Sequence, residues 1–280
     1  MSGTLFLIAT PIGNLSDISL RALETLRAVD FIAAEDTRVT RKLLEHFEIK
    51  KPIVCYFEHN RRDSGDRILN RILGGESCAL VSDAGTPGIS DPGEDLVRLC
   101  ADANVPMIAI PGPCAAVAAL ALSGLPSARF TFEGFLHVDK KRRHAHLNEL
   151  ISESRTMIFY EAPHKLKRTL FDLLEVFGDR NISISRELTK IYEETLRFSL
   201  SDAIDHFEKT SPRGEFVIIV EGNRESSAPV VCLDEAVLTA TALIESGLSV
   251  KDAVKRAAVE TGCSKNELYK AVVSNEDTDF

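Results

Sequence analysis

With 280 residues, 44% of them hydrophobic and 27% charged, the chain is long enough for two or three domains with real cores, and its formal net charge of −9 argues against a protein that coats nucleic acid nonspecifically. No apolar run approaches the ~20 residues of a membrane-spanning helix, and Met1–Ile8 carries no basic leader, so a cytoplasmic protein with no membrane contact is expected. The six cysteines (Cys55, Cys78, Cys100, Cys114, Cys232, Cys263) form no CxxC pair or Cys/His cluster; they read as reduced core residues, and no metal site is expected.

From residue 3 to about 122, short apolar runs alternate with amphipathic stretches: Leu5–Ala9, a helix from about Ile18, Phe31–Ala34, a helix from Thr37, Ile53–Phe57, a helix from Asp63, Cys78–Val81, a helix from Pro92, Met107–Ile110, and a helix from Cys114. This is a βα repeat, which implies an α/β fold with a largely parallel sheet and a ligand site at the carboxyl ends of its strands. The loops expected there are Thr10–Asn14, Glu35–Arg38, Ser82–Gly93 and Pro111–Pro113. Ser82–Gly93 is the most informative of them. Gly85 and Gly88 allow backbone to approach a ligand, Asp83 puts a carboxylate at the rim, and Asp91 followed by Pro92 reads as an N-cap and first helical residue. The bland alternative is an ordinary strand-to-helix turn with a capping Asp.

Gly124–Ser127 ends this first domain, taken as residues 1–122. A second, α+β domain over 126–224 has strand candidates Phe130–Phe135, Thr156–Tyr160, Ile182–Ser185, Leu196–Ser199 and Glu215–Val220, and a helix from Pro163 to Phe177 stopped by Gly178. Glu225–Pro229 reads as a linker to a small helical domain over 230–280. Its three helical patterns are Asp234–Glu245, Val250–Glu260 and Lys265–Val273; the last two suit a helix-turn-helix around Thr261–Ser264, and Asn275–Phe280 reads as a frayed acidic tail. Positive charge gathers at Arg38–Lys42, Arg61–Arg62, Lys140–His144 and His164–Arg168, each a solvated face taken singly but a phosphate-binding surface if grouped around one cleft.

Five motifs, in order, resemble the tetrapyrrole methylase superfamily and within it the branch that methylates ribosomal RNA: Thr10–Leu15, Ala34–Arg38, Ser82–Gly88, Pro111–Pro113 and Phe159–His164. The likeness spans about residues 3–222, and the C-terminal helices also fit that branch. It implies two α/β domains with a cofactor cleft between them plus a small helical domain. It also implies a homodimer that uses S-adenosylmethionine to methylate the ribose 2′-hydroxyl of a cytidine in the decoding region of 16S rRNA, within the small ribosomal subunit. By the same resemblance the cofactor is contacted by Asp83, Gly85, Thr86, Gly88 and Ile89, by Pro111, Gly112, Cys114 and Ala115, by Pro11 below it, and by Tyr160 and Glu161 on the adenine side.

Methyl transfer to a ribose hydroxyl calls for positioning and for a base. Glu35 and Asp36 are the candidate bases, with Arg38 pairing a phosphate or neutralising them and Asn14 orienting the ribose or closing a turn; capping of the next helix by Asp36 or Thr37 is the structural alternative. Arg186-Glu187 is a second charged pair, for catalysis or for a domain-interface salt bridge. Arg41, Lys42, Arg61, Arg62, Lys140, Lys141, Arg142 and Arg143 are expected to meet RNA phosphates. With no tryptophan and four tyrosines, recognition is expected to depend on the shape of an assembled particle. Two other readings are a methylase of a small tetrapyrrole-like substrate, disfavoured by the basic run, and a ligand-sensing helix-turn-helix regulator. The second is disfavoured because the near-neutral segment Lys265–Lys270 lacks a recognition helix's positive surplus, so no DNA contact is expected.

Overall fold

The computed structural model describes residues 2–57, 61–223, 233–261 and 263–276, the side chains of 61–62, 259–260 and 274–276 excepted. The chain divides into two compact units, residues 1–148 with 156–221 and residues 149–155 with 222–280.

In the first unit the βα alternation builds a five-stranded, all-parallel sheet. Its strands are β1 (Leu5–Ile8), β2 (Phe31–Ala34), β3 (Ile53–Cys55), β4 (Cys78–Val81) and β5 (Met107–Ile110), in the order β3-β2-β4-β1-β5. β2 and β4 are unbroken apolar runs because both faces are covered. On one side Leu5, Phe31, Ala33, Cys78 and Leu80 pack with Ile68 and Ile72 of α3 (Arg61–Leu73) and Leu96 and Cys100 of α4 (Glu94–Asp102). On the other, Ile8, Ile32, Ala34, Ala79 and Val81 pack with Ala22 and Leu26 of α1 (Leu20–Ala28) and Leu44 of α2 (Thr37–His46). The chain leaves β1 for β2 on one side and comes back through β4 to β5 on the other. The strand order therefore reverses between β1 and β4, where the carboxyl-end loops part to form a crevice. Thr10 and Gly85 tie those two loops together by exchanging both backbone hydrogen bonds (2.8 and 3.0 Å).

α5 (Ala115–Ser123) closes the repeat but packs Ala116, Ala119 and Leu120 on Ile158, Val217 and Ile219 of a second sheet, which accounts for its alanine-rich, almost wholly apolar sequence. That sheet contains β6 (Phe130–Phe135), β7 (Thr156–Glu161), β8 (Asn181–Arg186), β9 (Glu194–Ser199) and β10 (Phe216–Val220), in the order β6-β7-β10-β8-β9, with only β6 and β7 parallel. α7 (Leu166–Phe177) buries Leu166, Leu170, Leu173 and Phe177 along one face, leaves Leu174 half-buried, and starts three residues after Pro163. Two helices have no counterpart in the sequence reading: α6 (Lys140–Glu149), which the basic run had concealed, and α8 (Leu200–Lys209), capped by Ser199 accepting from the Asp202 N–H at 3.1 Å.

In the second unit α9 (Leu233–Glu245), α10 (Val250–Thr261) and α11 (Lys265–Glu276) enclose a small core of Ala236, Ala240, Val254, Ala257, Leu268 and Val272. Asn275 and Glu276 are still helical rather than tail; residues 277–280 and the Glu225–Pro229 linker lie outside the described residues. Cys78 and Cys100 are buried as expected, but Cys55 is exposed and Cys114 and Cys263 are half-buried; Cys232 lies outside the described residues. No helix among the described residues is long and apolar enough to cross a membrane.

Candidate active site

The crevice at the strand-order reversal holds a cavity of about 290 Å³, at the lower end of small-molecule sites. Its walls come from the loops after β1, β2 and β4, the start of α5, and the second sheet: Ile12, Glu35, Asp83–Thr86, Ile89–Asp91, Cys114, Ala115, Phe135, Tyr160, Glu161, Glu187, Leu188, Lys190 and Glu215–Val217.

The Ser82–Gly93 loop forms the centre of one wall, by a different geometry from the one expected. α4 starts at Glu94, not Pro92, and its N-cap is Gly93 at φ 146°, a conformation open to glycine; a Cβ there would stand 3.1 Å from the Gly88 amide nitrogen. Asp91 is therefore free of the helix and lines the cavity. Burial pushes its carboxyl up to about 6 from 3.8; a Ser82 hydroxyl hydrogen bond opposes the rise, and the charges of Asp83 and Glu215 add to it.

One further carboxylate stitches the β2 and β4 loops to each other: Asp83 Oδ1 accepts the Asp36 N–H at 3.0 Å. Glu35 lines the same wall of the cavity. Burial raises both above the ordinary carboxylate range, with Asp83 and Asp91 adding to Glu35. Asp36 goes the other way. It is the N-cap of α2, accepting the Arg38 N–H at 2.8 Å, and is paired with the Arg38 guanidinium at 2.7 Å, which holds its carboxyl down at about 2. The capping alternative thus holds for Asp36, while Glu35 faces the cavity.

Opposite, the Tyr160 hydroxyl accepts the first-turn N–H of Ala116 at 3.1 Å, and burial pushes it up to about 12. Its ring meets those of Phe132 and Phe135 edge-on at 5.1 and 5.5 Å. Glu161 is almost fully buried and both oxygens are engaged, by the Ala162 N–H at 2.8 Å and the Thr169 hydroxyl at 2.5 Å, so it braces the wall. Arg186-Glu187 is not one unit: Arg186 pairs with Glu194 across the hairpin at 2.6 Å, and Glu187 with Lys190 at 2.9 Å.

Of the expected cofactor contacts, Asp83, Gly85, Thr86, Ile89, Cys114, Ala115, Tyr160 and Glu161 line the cavity; Pro11, Gly88, Pro111 and Gly112 do not, and Gly112 instead packs where a Cβ would stand 3.0 Å from that of Ala9. Asn14 closes a turn, its Oδ1 accepting the Ser16 N–H at 3.0 Å ahead of a short 3-10 helix. Asp91, Glu187, Lys190 and Glu215 were not foreseen as cavity residues.

Among the basic residues, Arg38, Arg41, Lys42, Lys140, Lys141 and Arg142 are exposed, and the side chains of Arg61 and Arg62 lie outside the described residues. Arg143, by contrast, is not a surface cation. It is 1% exposed, its Nε binds Asp172 Oδ2 at 2.6 Å, and Nη1 donates to the carbonyls of His137 and Val138 at 3.0 and 2.9 Å. It fastens α6 to α7 and is closed to RNA. His144 takes the other oxygen of Asp172 at 2.9 Å.

A family model described as tetrapyrrole (corrin/porphyrin) methylases matches residues 4–204, and one described as the RsmI C-terminal HTH domain matches 233–275. The chain is 47% identical over 270 residues to "Ribosomal RNA small subunit methyltransferase I" of Halalkalibacterium halodurans, covering 95% of this chain and 93% of that one. It is also 47% identical over 220 residues to the Thermotoga maritima protein of the same name, covering 79% of this chain and 99% of that one. Among solved structures, a uroporphyrin-III C-methyltransferase of Thermus thermophilus complexed with S-adenosylhomocysteine superposes with a TM-score of 0.56 at 16% identity, covering 78% of this chain and 97% of that one, a likeness of fold.

Proposed function

Because the chain belongs to the tetrapyrrole (corrin/porphyrin) methylase family, we propose that it is an S-adenosylmethionine-dependent methyltransferase whose substrate is the ribose 2′-hydroxyl of a cytidine in the decoding region of 16S rRNA. The names of relatives aligned over nearly the whole chain support the RNA substrate. The observation that carries the cofactor is the lining of the cavity, where, among the described residues, Glu35, Asp83, Asp91, Glu161, Glu187 and Glu215 face one cation, Lys190. Such a site attracts a ligand of net positive charge. When bound, S-adenosylmethionine supplies a methyl on a sulfonium, a leaving group already activated by its own charge.

The Asp83–Ile89 backbone and the start of α5 hold the amino-acid end, where the helix terminus adds partial positive charge beside a carboxylate ligand. Ile12, Phe135 and Tyr160 supply apolar surface for the adenine and exclude water. Asp83 and Asp91 hold the cation. Glu35 would take the hydroxyl proton as the methyl passes from the sulfonium sulfur to that oxygen, since burial raises its proton affinity whereas Arg38 has neutralised Asp36. Arg38, Arg41, Lys42, Lys140, Lys141 and Arg142 meet phosphates of the particle. The protein acts in the cytoplasm as a homodimer, an assembly supported by the exposed apolar residues Met107 and Ile108 on edge strand β5 and Val117 and Leu122 on α5.

Transfer of labelled methyl into isolated small subunits, naked 16S rRNA and a uroporphyrinogen tests the assignment. Label in the subunit is the expected result. Label in the tetrapyrrole alone would overturn it.

A further inference from the structure

The turn joining β8 to β9, residues 187–193, is built to hold one shape. Glu187 and Thr189 both have left-handed backbone, at φ 51° and 67°, a costly conformation for residues with a Cβ that persists only where surroundings enforce it. The enforcement is visible. The Thr189 N–H donates to the Glu193 carboxylate at 2.6 Å, the Lys190 ammonium to that of Glu187 at 2.9 Å, and the Glu193 N–H to the Lys190 carbonyl at 3.1 Å. Two glycines distant in sequence make room for it. A Cβ on Gly214 would stand 2.3 Å from Glu187 Oε1, and one on Gly13 would stand 2.5 Å from Lys190 Cγ.

Glu187, Leu188 and Lys190 of this turn line the cavity. The next two residues project into solvent: Ile191 is 94% exposed, the most exposed large apolar side chain among the described residues, and Tyr192 is 76% exposed. Of the other tyrosines, Tyr56 is buried, Tyr160 lines the cavity and Tyr269 lies in the second unit. The cavity's surplus of carboxylates repels phosphate, so a nucleotide brought to its mouth has to be gripped through its base. Aromatic rings do this for unstacked RNA, because every base has a π-face.

We propose that Tyr192, with Ile191 beside it, is a base-stacking platform at the mouth of the active site, holding an unstacked base of the RNA while the target ribose enters. The inference rests on the RNA-methylation reading above and adds a specificity-determining residue to it.

The test compares wild type, Tyr192→Ala, Tyr192→Leu and Tyr192→Phe on undermethylated small subunits, measuring steady-state methyl transfer and subunit retention on filters, with calorimetry for S-adenosylmethionine and sedimentation for the oligomeric state. The Ala and Leu variants should lose about 5- to 150-fold in kcat/KM for the subunit, mainly through KM, the range of one lost stacking contact. Cofactor affinity and sedimentation should not change, and Phe, which keeps the ring, should restore wild-type values. Full activity in the Ala variant, a Phe variant as impaired as Ala, or loss of dimer or of cofactor affinity would each overturn the platform while leaving the RNA reading intact. Wild type that binds the cofactor but neither retains nor methylates the subunit would overturn both.

Discussion

Replacing Asp91 by Asn should stabilise the unliganded protein and weaken its hold on the cofactor in the same step. In the folded chain the carboxyl titrates near 6 rather than 3.8, so the unfolded state ionises first and the native state loses stability as pH rises between those values. Each tenfold change in proton affinity is worth about 1.4 kcal/mol, so the fully ionised side chain costs the fold up to ~3 kcal/mol above pH 6. Its partial exposure reduces this to about 1–2 kcal/mol. Asn is nearly isosteric and carries no charge, so that cost is removed; for a chain of this size the midpoint should rise by roughly 3–8 °C at pH 7.5 and by almost nothing at pH 4. Thermal unfolding of both proteins across pH 4–8 measures the gap directly. Calorimetry at pH 7.5 should show S-adenosylmethionine bound about 10- to 100-fold more weakly by the variant, and wild-type affinity falling as pH drops through 6 while the variant's stays flatter. A variant no more stable than wild type at pH 7.5, or one that binds the cofactor as tightly, would refute the assignment of Asp91 as a strained carboxylate kept for a cation.

Glu35→Gln should lower kcat about 10²- to 10⁴-fold with cofactor affinity changed far less, whereas Asp36→Asn should act mainly through loss of the α2 cap and the Arg38 pair; rapid-quench turnover and calorimetry read the two apart. Arg143→Ala should cost about 3–5 kcal/mol in denaturant unfolding, because Asp172 would be left buried with half its pairing gone. Lys140→Ala with Lys141→Ala should leave unfolding unchanged and weaken subunit binding with a shallower salt dependence, measured by filter retention from 50 to 200 mM salt.

The first sheet was legible because parallel strands covered on both faces must be apolar throughout, as Phe31–Ala34 and Cys78–Val81 are. The glycine-rich β4 loop and the apolar stripe of α7 were legible for similarly local reasons. What escaped depended on partners far along the chain. Asp91-Pro92 has the form of a helix start, yet the helix begins where Gly93 takes a φ of 146°, and the carboxylate thereby released is the site's most perturbed. α6 buries only Arg143 and Leu147, so no apolar period announced it, and nothing in Lys140–Arg143 distinguished the arginine that Asp172 receives 29 residues later from its exposed neighbours. Glu187 was visible as part of a charged pair, but its true partner, Lys190, emerges only once two left-handed residues bend the turn back on itself. Glu215 carried no signal of its own, and reaches the cavity because it precedes β10, the central strand of the second sheet.

Transfer of a methyl from a sulfonium in the anionic pocket to a ribose oxygen of ribosomal RNA can be followed by incubating undermethylated small subunits with wild-type protein and S-adenosylmethionine, digesting the 16S rRNA to nucleosides, and weighing the products. The expected result is one new species, 2′-O-methylcytidine, formed by wild type and nearly absent with Glu35→Gln. Methyl on a base carbon or nitrogen, or 2′-O-methylcytidine formed equally well without Glu35, would contradict it.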